Sequence, residues 1–210
     1  MGMTIGATWS GYWSNKSFRV KFITGIVLLA LLTPLFPVFF EYIEKREGYQ
    51  LNDYLLNQLE PMNVSVLTFL IIWGMIAFTL YRCIKDPDMF LLLIWSYVLL
   101  CFGRILSIYL VPLNPPKGLI ELKDPLSGIF YGSQMVTKDL FFSGHTATLF
   151  TMFLCLKDKT DKLILLLSSF AIGILVLVQH VHYTLDVAAA FLFSYLFYRM
   201  AKRLLQFDFS

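Results

Sequence analysis

MFLLLIWSYVLLCFGRILSIYLV, residues 89–111, contains one charged side chain, Arg104. At ~1.5 Å per residue the run reaches roughly 34 Å as a helix, enough to cross a bilayer core of about 30 Å. It stops at Pro112-Leu-Asn-Pro-Pro116, where the helix runs out of backbone donors. A charge at membrane depth costs about 2.5–3.5 kcal/mol on insertion scales. Arg104 is therefore expected to face a protein interior and to serve a function.

Five more apolar runs flank this one: Val20–Tyr42, interrupted by Pro34 and Pro37, then Val64–Tyr81, Phe142–Leu156, Leu163–Val178 and His182–Leu205. Composition agrees, with 58% hydrophobic and 15% charged residues and a mean hydropathy of +0.69. Soluble domains carry about 25% charged residues. The expected fold is all-α, a polytopic membrane bundle of six helices. Residues 1–19 read as a short cytoplasmic arm in the membrane interface, where Trp9, Tyr12 and Trp13 stand beside Lys16 and Arg19. Residues 20–210 read as one catalytic membrane domain, with no repeat and no soluble module. The first run is long for the apolar core of a cleaved signal peptide.

The charges set an orientation. With six spans, the clusters Lys16–Lys21, Arg82–Lys85, Lys157–Lys162 and Arg199–Arg203 all fall on the side of the termini. They hold most of the 17 Lys and Arg residues, so that side is expected to be cytoplasmic. All three histidines then face the extracytoplasmic side. A net charge of +3 is too small to point to nucleic acid. Cys83, Cys101 and Cys155 lie in or beside apolar runs without CxxC spacing, which speaks against a disulfide framework or a zinc site.

Two polar islands remain. In the first, Ser143-Gly144-His145-Thr146 opens an apolar run. Ser143 suits a helix N-cap, Gly144 admits close approach to the backbone, and a helix N-terminus is a natural seat for phosphate. In the second, His182 and Asp186 are spaced to share a helix face. A carboxylate one turn away can hold the imidazole Nδ1 proton and leave Nε2 as nucleophile or base. Displacement at phosphorus needs such a nucleophile and a second group to protonate the leaving oxygen. The two islands are expected to meet at one membrane surface. His180 is two residues from His182 and reads as a flank residue.

The chain resembles the type 2 phosphatidic acid phosphatase superfamily, which pairs Ser-Gly-His with a later His-xxx-Asp in a six-span bundle. It is most similar to the sphingomyelin synthase-like branch, with its Cys-Gly-Asp-xxx-Ser-Gly-His-Thr and His-Tyr-Thr-x-Asp-Val motifs. Residues 137–146 read Thr-Lys-Asp-Leu-Phe-Phe-Ser-Gly-His-Thr, so all but the Cys-Gly aligns, and His182–Val187 matches in full. Arg104, with Ser107 and Pro112, resembles more loosely the branch's arginine-bearing third span. The phosphatase branch has an arginine six residues before the second histidine and a proline before Ser-Gly-His; Val176 and Phe142 stand there in this chain.

The resemblance implies an integral membrane lipid phosphotransferase. His182 would attack phosphorus and hold the phospho-headgroup, Asp186 would orient it, and His145 would protonate the leaving alcohol and activate the acceptor. Arg104 and Lys138 are candidates for the missing phosphate clamp. Ser143, Gly144, Thr146, Asp139 and Tyr183 complete the expected binding set. Membrane lipids with phosphorylated headgroups are the expected partners, and no metal or cofactor is implied. Water as acceptor would make the protein a lipid phosphate phosphatase. A non-enzymatic carrier or assembly subunit, its polar path lined by Arg104, His145 and Asp186, is the alternative from another class.

Overall fold

A computed structural model describes residues 6–123 and 136–206. Among them the chain is helical: α1 (Gly6–Ser14), α2 (Lys16–Glu44), α3 (Ser65–Lys85), α4 (Pro87–Leu110), α5 (Gly144–Cys155), α6 (Lys159–Val178) and α7 (Thr184–Gln206), with a 3-10 turn at Leu56–Gln58. The first five residues of the expected arm and residues 124–135 of the loop before α5 lie outside the described residues.

Local chemistry sets the helix starts. The Asn15 side chain accepts from the amides of Ser17 and Phe18 to open α2. Asp86 caps α4 just before Pro87, and Asp158 caps α6 through Thr160 and Asp161. Proline at the first helical position loses nothing, because that amide has no intrahelical partner. Pro34 and Pro37 both lie inside α2, which continues through them.

α2, α3, α4 and α6 are long and apolar enough to cross a membrane. Among the described residues, four of the six expected spans thus qualify on length and composition. α5 has only 12 residues, roughly 18 Å, because Phe142 and Ser143 stay outside the helix. α7 has 23 residues but carries Asp186, Arg199, Lys202 and Arg203.

The shortest of the six long-run helices sits at the centre. α5 packs against α3, α4, α6 and α7, while α7 also packs on α4. Leu149 of α5 meets Phe69 of α3 and Ile172 and Val176 of α6 in one apolar cluster. Ala147 meets Leu100 of α4 and Ala190 of α7 in another. Half of the most apolar stretch of α4 is buried, against 11% for α2, which leans mainly on α4. Gly103 permits the α4–α7 approach: a Cβ there would stand 2.0 Å from the Phe197 ring.

The helices alternate in direction, so the starts of α3, α5 and α7 share one end with the finishes of α2, α4 and α6. There Gln179, at the finish of α6, donates to the Ser65 hydroxyl (2.8 Å) and accepts from the Val64 amide (3.1 Å). The opposite end is closed by the Arg82–Asp161 (2.8 Å) and Lys157–Asp86 (2.5 Å) ion pairs.

Candidate active site

The α5 start follows from its own sequence. The Ser143 hydroxyl accepts from the Thr146 amide at 3.3 Å and lies 3.2 Å from the Thr146 hydroxyl. Both side chains are fully buried, so they build the helix end behind His145.

The α7 start is organised differently. His182 precedes the helix, which begins at Thr184. The expected shared helix face is thus corrected to a pairing across the helix start. One Asp186 oxygen lies 3.3 Å from His182 Nδ1 and also accepts the Tyr183 amide at 3.0 Å. A carboxylate three residues into a helix commonly reaches back in this way. Tyr183 has no side-chain acceptor to return to the helix amides. Asp53, from the segment after α2, supplies it: its carboxylate accepts the Thr184 amide at 2.6 Å and the Thr184 hydroxyl at 3.0 Å.

The two islands are joined directly. The Ser143 amide donates to the Asp186 carbonyl at 3.0 Å, and the His145 and His182 rings stand 6.2 Å apart, edge to face. His182 is buried. Two buried polar atoms here have no hydrogen-bond partner, His145 Nδ1 and Asp186 Oδ1. Burying a polar atom unpaired costs free energy that folds seldom tolerate without a reason.

Arg104 completes the group. Its guanidinium donates to the Phe142 carbonyl at 2.7 Å, forms an ion pair with Asp139 and lies over the Phe142 ring. A Cβ on Gly144 would stand 2.6 Å from Arg104 Cζ. The space that Gly144 was expected to open for a ligand is occupied by this guanidinium, which is thereby laid across the start of α5.

Beside this group lies a cavity of about 940 Å³. Its polar end includes Arg104, Asp139, Gly144, His145 and His182. Its apolar walls include Leu32 and Phe36 of α2 and Ile72 and Ile76 of α3. The lining follows α2 from Leu29 to Glu44, roughly 22 Å of helix.

Four expected binding residues point elsewhere. The Lys138 ammonium donates to the carbonyls of Glu44 (3.0 Å) and Arg46 (2.5 Å), a staple on the end of α2 rather than a clamp at the histidines. Ser143 and Thr146 face each other. The Tyr183 hydroxyl donates to the Asn114 carbonyl (2.8 Å) and accepts the Leu51 amide (3.3 Å), tying two loops together. His180 likewise places its ring nitrogens 2.8 Å from the Lys117 carbonyl and 3.1 Å from that of Leu59. Asp53 and Glu44 were missed by sequence reasoning, since no local pattern marks either. Among the described residues, no group of three His, Cys, Asp or Glu side chains is arranged to hold a metal ion.

A family model described as PAP2 superfamily C-terminal matches residues 138–203. The chain is similar to the PAP2 superfamily over this segment. The matched stretch is just under a third of the chain and takes in both histidine islands; Arg104, Glu44 and Asp53 lie outside it. No curated protein and no solved structure matches. The similarity supports a phosphoester-acting enzyme at a general level.

Proposed function

We propose that this protein is a membrane-embedded lipid phosphotransferase working through a phosphohistidine, as in the sphingomyelin synthase-like branch. The observation that carries the reading is the His145–His182 pair, rings 6.2 Å apart, at the polar end of a cavity whose walls are apolar. That cavity falls within the size range of small-molecule sites, about 300–1,000 Å³. Its shape suits a lipid, with tails along α2 and α3 and the phosphate among Arg104, His145 and His182.

In the first half-reaction the Nε2 lone pair of His182 attacks phosphorus. The phosphorus–oxygen bond to the leaving alcohol breaks, and protonated His145 gives that oxygen its proton. Asp186 accepts a hydrogen bond from the Nδ1–H of His182 throughout, fixing the tautomer and stabilising the charge on the ring. In the second half-reaction neutral His145 takes the proton of the acceptor hydroxyl. The acceptor oxygen attacks phosphorus, the phosphorus–nitrogen bond breaks, and His182 returns neutral. Arg104 stabilises the phosphoryl oxygens in both steps, an electrostatic role that grows where water is excluded.

The same reading takes all six long helices across the bilayer, with the site on the extracytoplasmic side. α5 is short for a span, but neighbours surround it, so it need not meet lipid along its whole length. Purified protein in mixed micelles of phosphatidylcholine or phosphatidic acid with a lipid alcohol tests the function. Transfer of the headgroup to the alcohol, lost in His182→Ala, supports the proposal. Release into water alone makes the enzyme a phosphatase on phosphatidic acid or a C-type phospholipase on phosphatidylcholine, and turnover unchanged in His182→Ala ends the proposal.

A further inference from the structure

We propose that Glu44 is a positioning residue: its carboxylate, at the finish of α2, fixes the direction of the Asp139–Arg104 pair at the phosphate end of the cavity. This rests on the phosphoester reading above.

The segment that carries Asp139 lacks regular structure. Residues 136–140 form no helix, so their amides need partners from elsewhere. Glu44 provides them. Its Oε1 accepts the amides of Thr137 (2.6 Å) and Lys138 (2.7 Å), and its Oε2 accepts the Thr137 hydroxyl (2.8 Å). Hydrogen bonds to an ionised group are roughly twice as strong as neutral ones. The next residue is Asp139, whose carboxylate meets Arg104. Further on, Phe141 takes a φ of 90°, a strained conformation for a bulky residue that persists only where its surroundings are fixed. Arg104 fixes one side of it through the Phe142 carbonyl; Glu44 fixes the chain on the other.

The same few residues also reach the helix that carries Arg104. The Arg46 guanidinium donates to the Tyr109 carbonyl at 2.8 Å and to that of Ile108, both in the last turn of α4. Lys138 closes the loop by donating to the Glu44 and Arg46 carbonyls. The finish of α2 therefore holds both partners of the Asp139–Arg104 pair, one through Glu44 and one through Arg46. α2 has little apolar packing to hold it, so these polar contacts anchor the cavity wall at its polar end. A glutamine at 44 would lose the charge, leaving a neutral carbonyl oxygen for the two amides and turning its NH2 toward the Thr137 hydroxyl.

Full-length protein in mixed micelles provides the test, with orthovanadate as a mimic of the five-coordinate phosphoryl group. Glu44→Gln is expected to lower kcat/KM about tenfold and to weaken orthovanadate inhibition about tenfold. Glu47→Gln, at a neighbouring exposed carboxylate, is expected to change neither. If Glu44 acts through Asp139, then Glu44→Gln adds nothing in an Asp139→Asn background. Effects that multiply in the double variant, or wild-type orthovanadate inhibition in Glu44→Gln, overturn the inference. If Glu44→Gln does not fold, Thr137→Val removes only the hydroxyl contact; a loss of about threefold in both readouts supports the inference, and no change overturns it. Absence of His182-dependent turnover in the wild type would instead overturn the phosphoester reading itself, and this inference with it.

Discussion

The starts of α5 and α7 present the two histidines side by side, yet they are built by different means. α5 is capped by its own Ser143, three residues from the amide it serves. α7 is capped by Asp53, 131 residues away along the chain. The first needs only local sequence to form. The second forms only once the segment after α2 has folded over the site. The position of His182, the proposed nucleophile, is therefore coupled to the outer loops, whereas that of His145, its proposed acid–base partner, is set within one turn of helix.

Variants at the reacting groups should have the largest effects. His182→Ala should cost at least about 10³-fold in turnover, since a lost nucleophile has no substitute. His145→Ala should cost about 10²–10⁴-fold, the usual range for a lost general acid–base. A donor whose leaving alcohol is more acidic should partly offset the loss of the proton that His145 gives, and the same leaving alcohol should not rescue His182→Ala. Rescue of both by one alcohol would show that the two helix starts do not divide the chemistry.

Gly144→Ala tests whether Arg104 belongs to the site. The added methyl would displace the guanidinium. Turnover and orthovanadate inhibition should both fall about tenfold or more, and unchanged kinetics would remove Arg104 from the proposed phosphate contacts.

The caps come next. Asp53→Ala should lower stability by about 1 kcal/mol and also depress kcat, because it releases the turn that aims His182. Ser143→Ala should cost a similar ~1 kcal/mol in thermal or denaturant unfolding with a smaller change in kcat. Equal kinetic penalties would erase the contrast between a local cap and a borrowed one.

The smallest effect should be a pH dependence at Asp53. Burial by itself raises the pKa of this carboxyl, but the hydrogen bonds from Thr184 and Leu56 outweigh it and hold the group below the usual carboxylate range. The unfolded value is about 3.9. The stabilisation is therefore fully present above about pH 4 and is lost as pH falls through the depressed folded value. Unfolding midpoints across that window should drop less in Asp53→Asn than in the wild type.

Some of this organisation was legible from residues alone. Apolar runs marked the long helices, because a bilayer or a core demands continuous hydrophobic length. Ser143 announced a helix start by side-chain chemistry that acts over three residues. The number of spans was less legible: the run at Phe142–Leu156 is short for a span, and the helix is shorter still because Phe142 lies outside it with its carbonyl against Arg104. The roles of Lys138 and Tyr183 were also hidden. Each lies within a motif stretch, yet its polar atom is claimed by a carbonyl far along the chain.

The sequence by itself determined that the chain is helical, strongly apolar and furnished with two histidine islands, since these properties reside in residue type and short spacing. Only the tertiary structure decided that Arg104 lies across Gly144, that Asp186 pairs with His182 before the helix rather than along it, and that Glu44 and Asp53 hold the site from outside. Apart from the His182–Asp186 pair, those contacts join positions tens to more than a hundred residues apart. They exist because buried amides and charges must find partners wherever packing brings them.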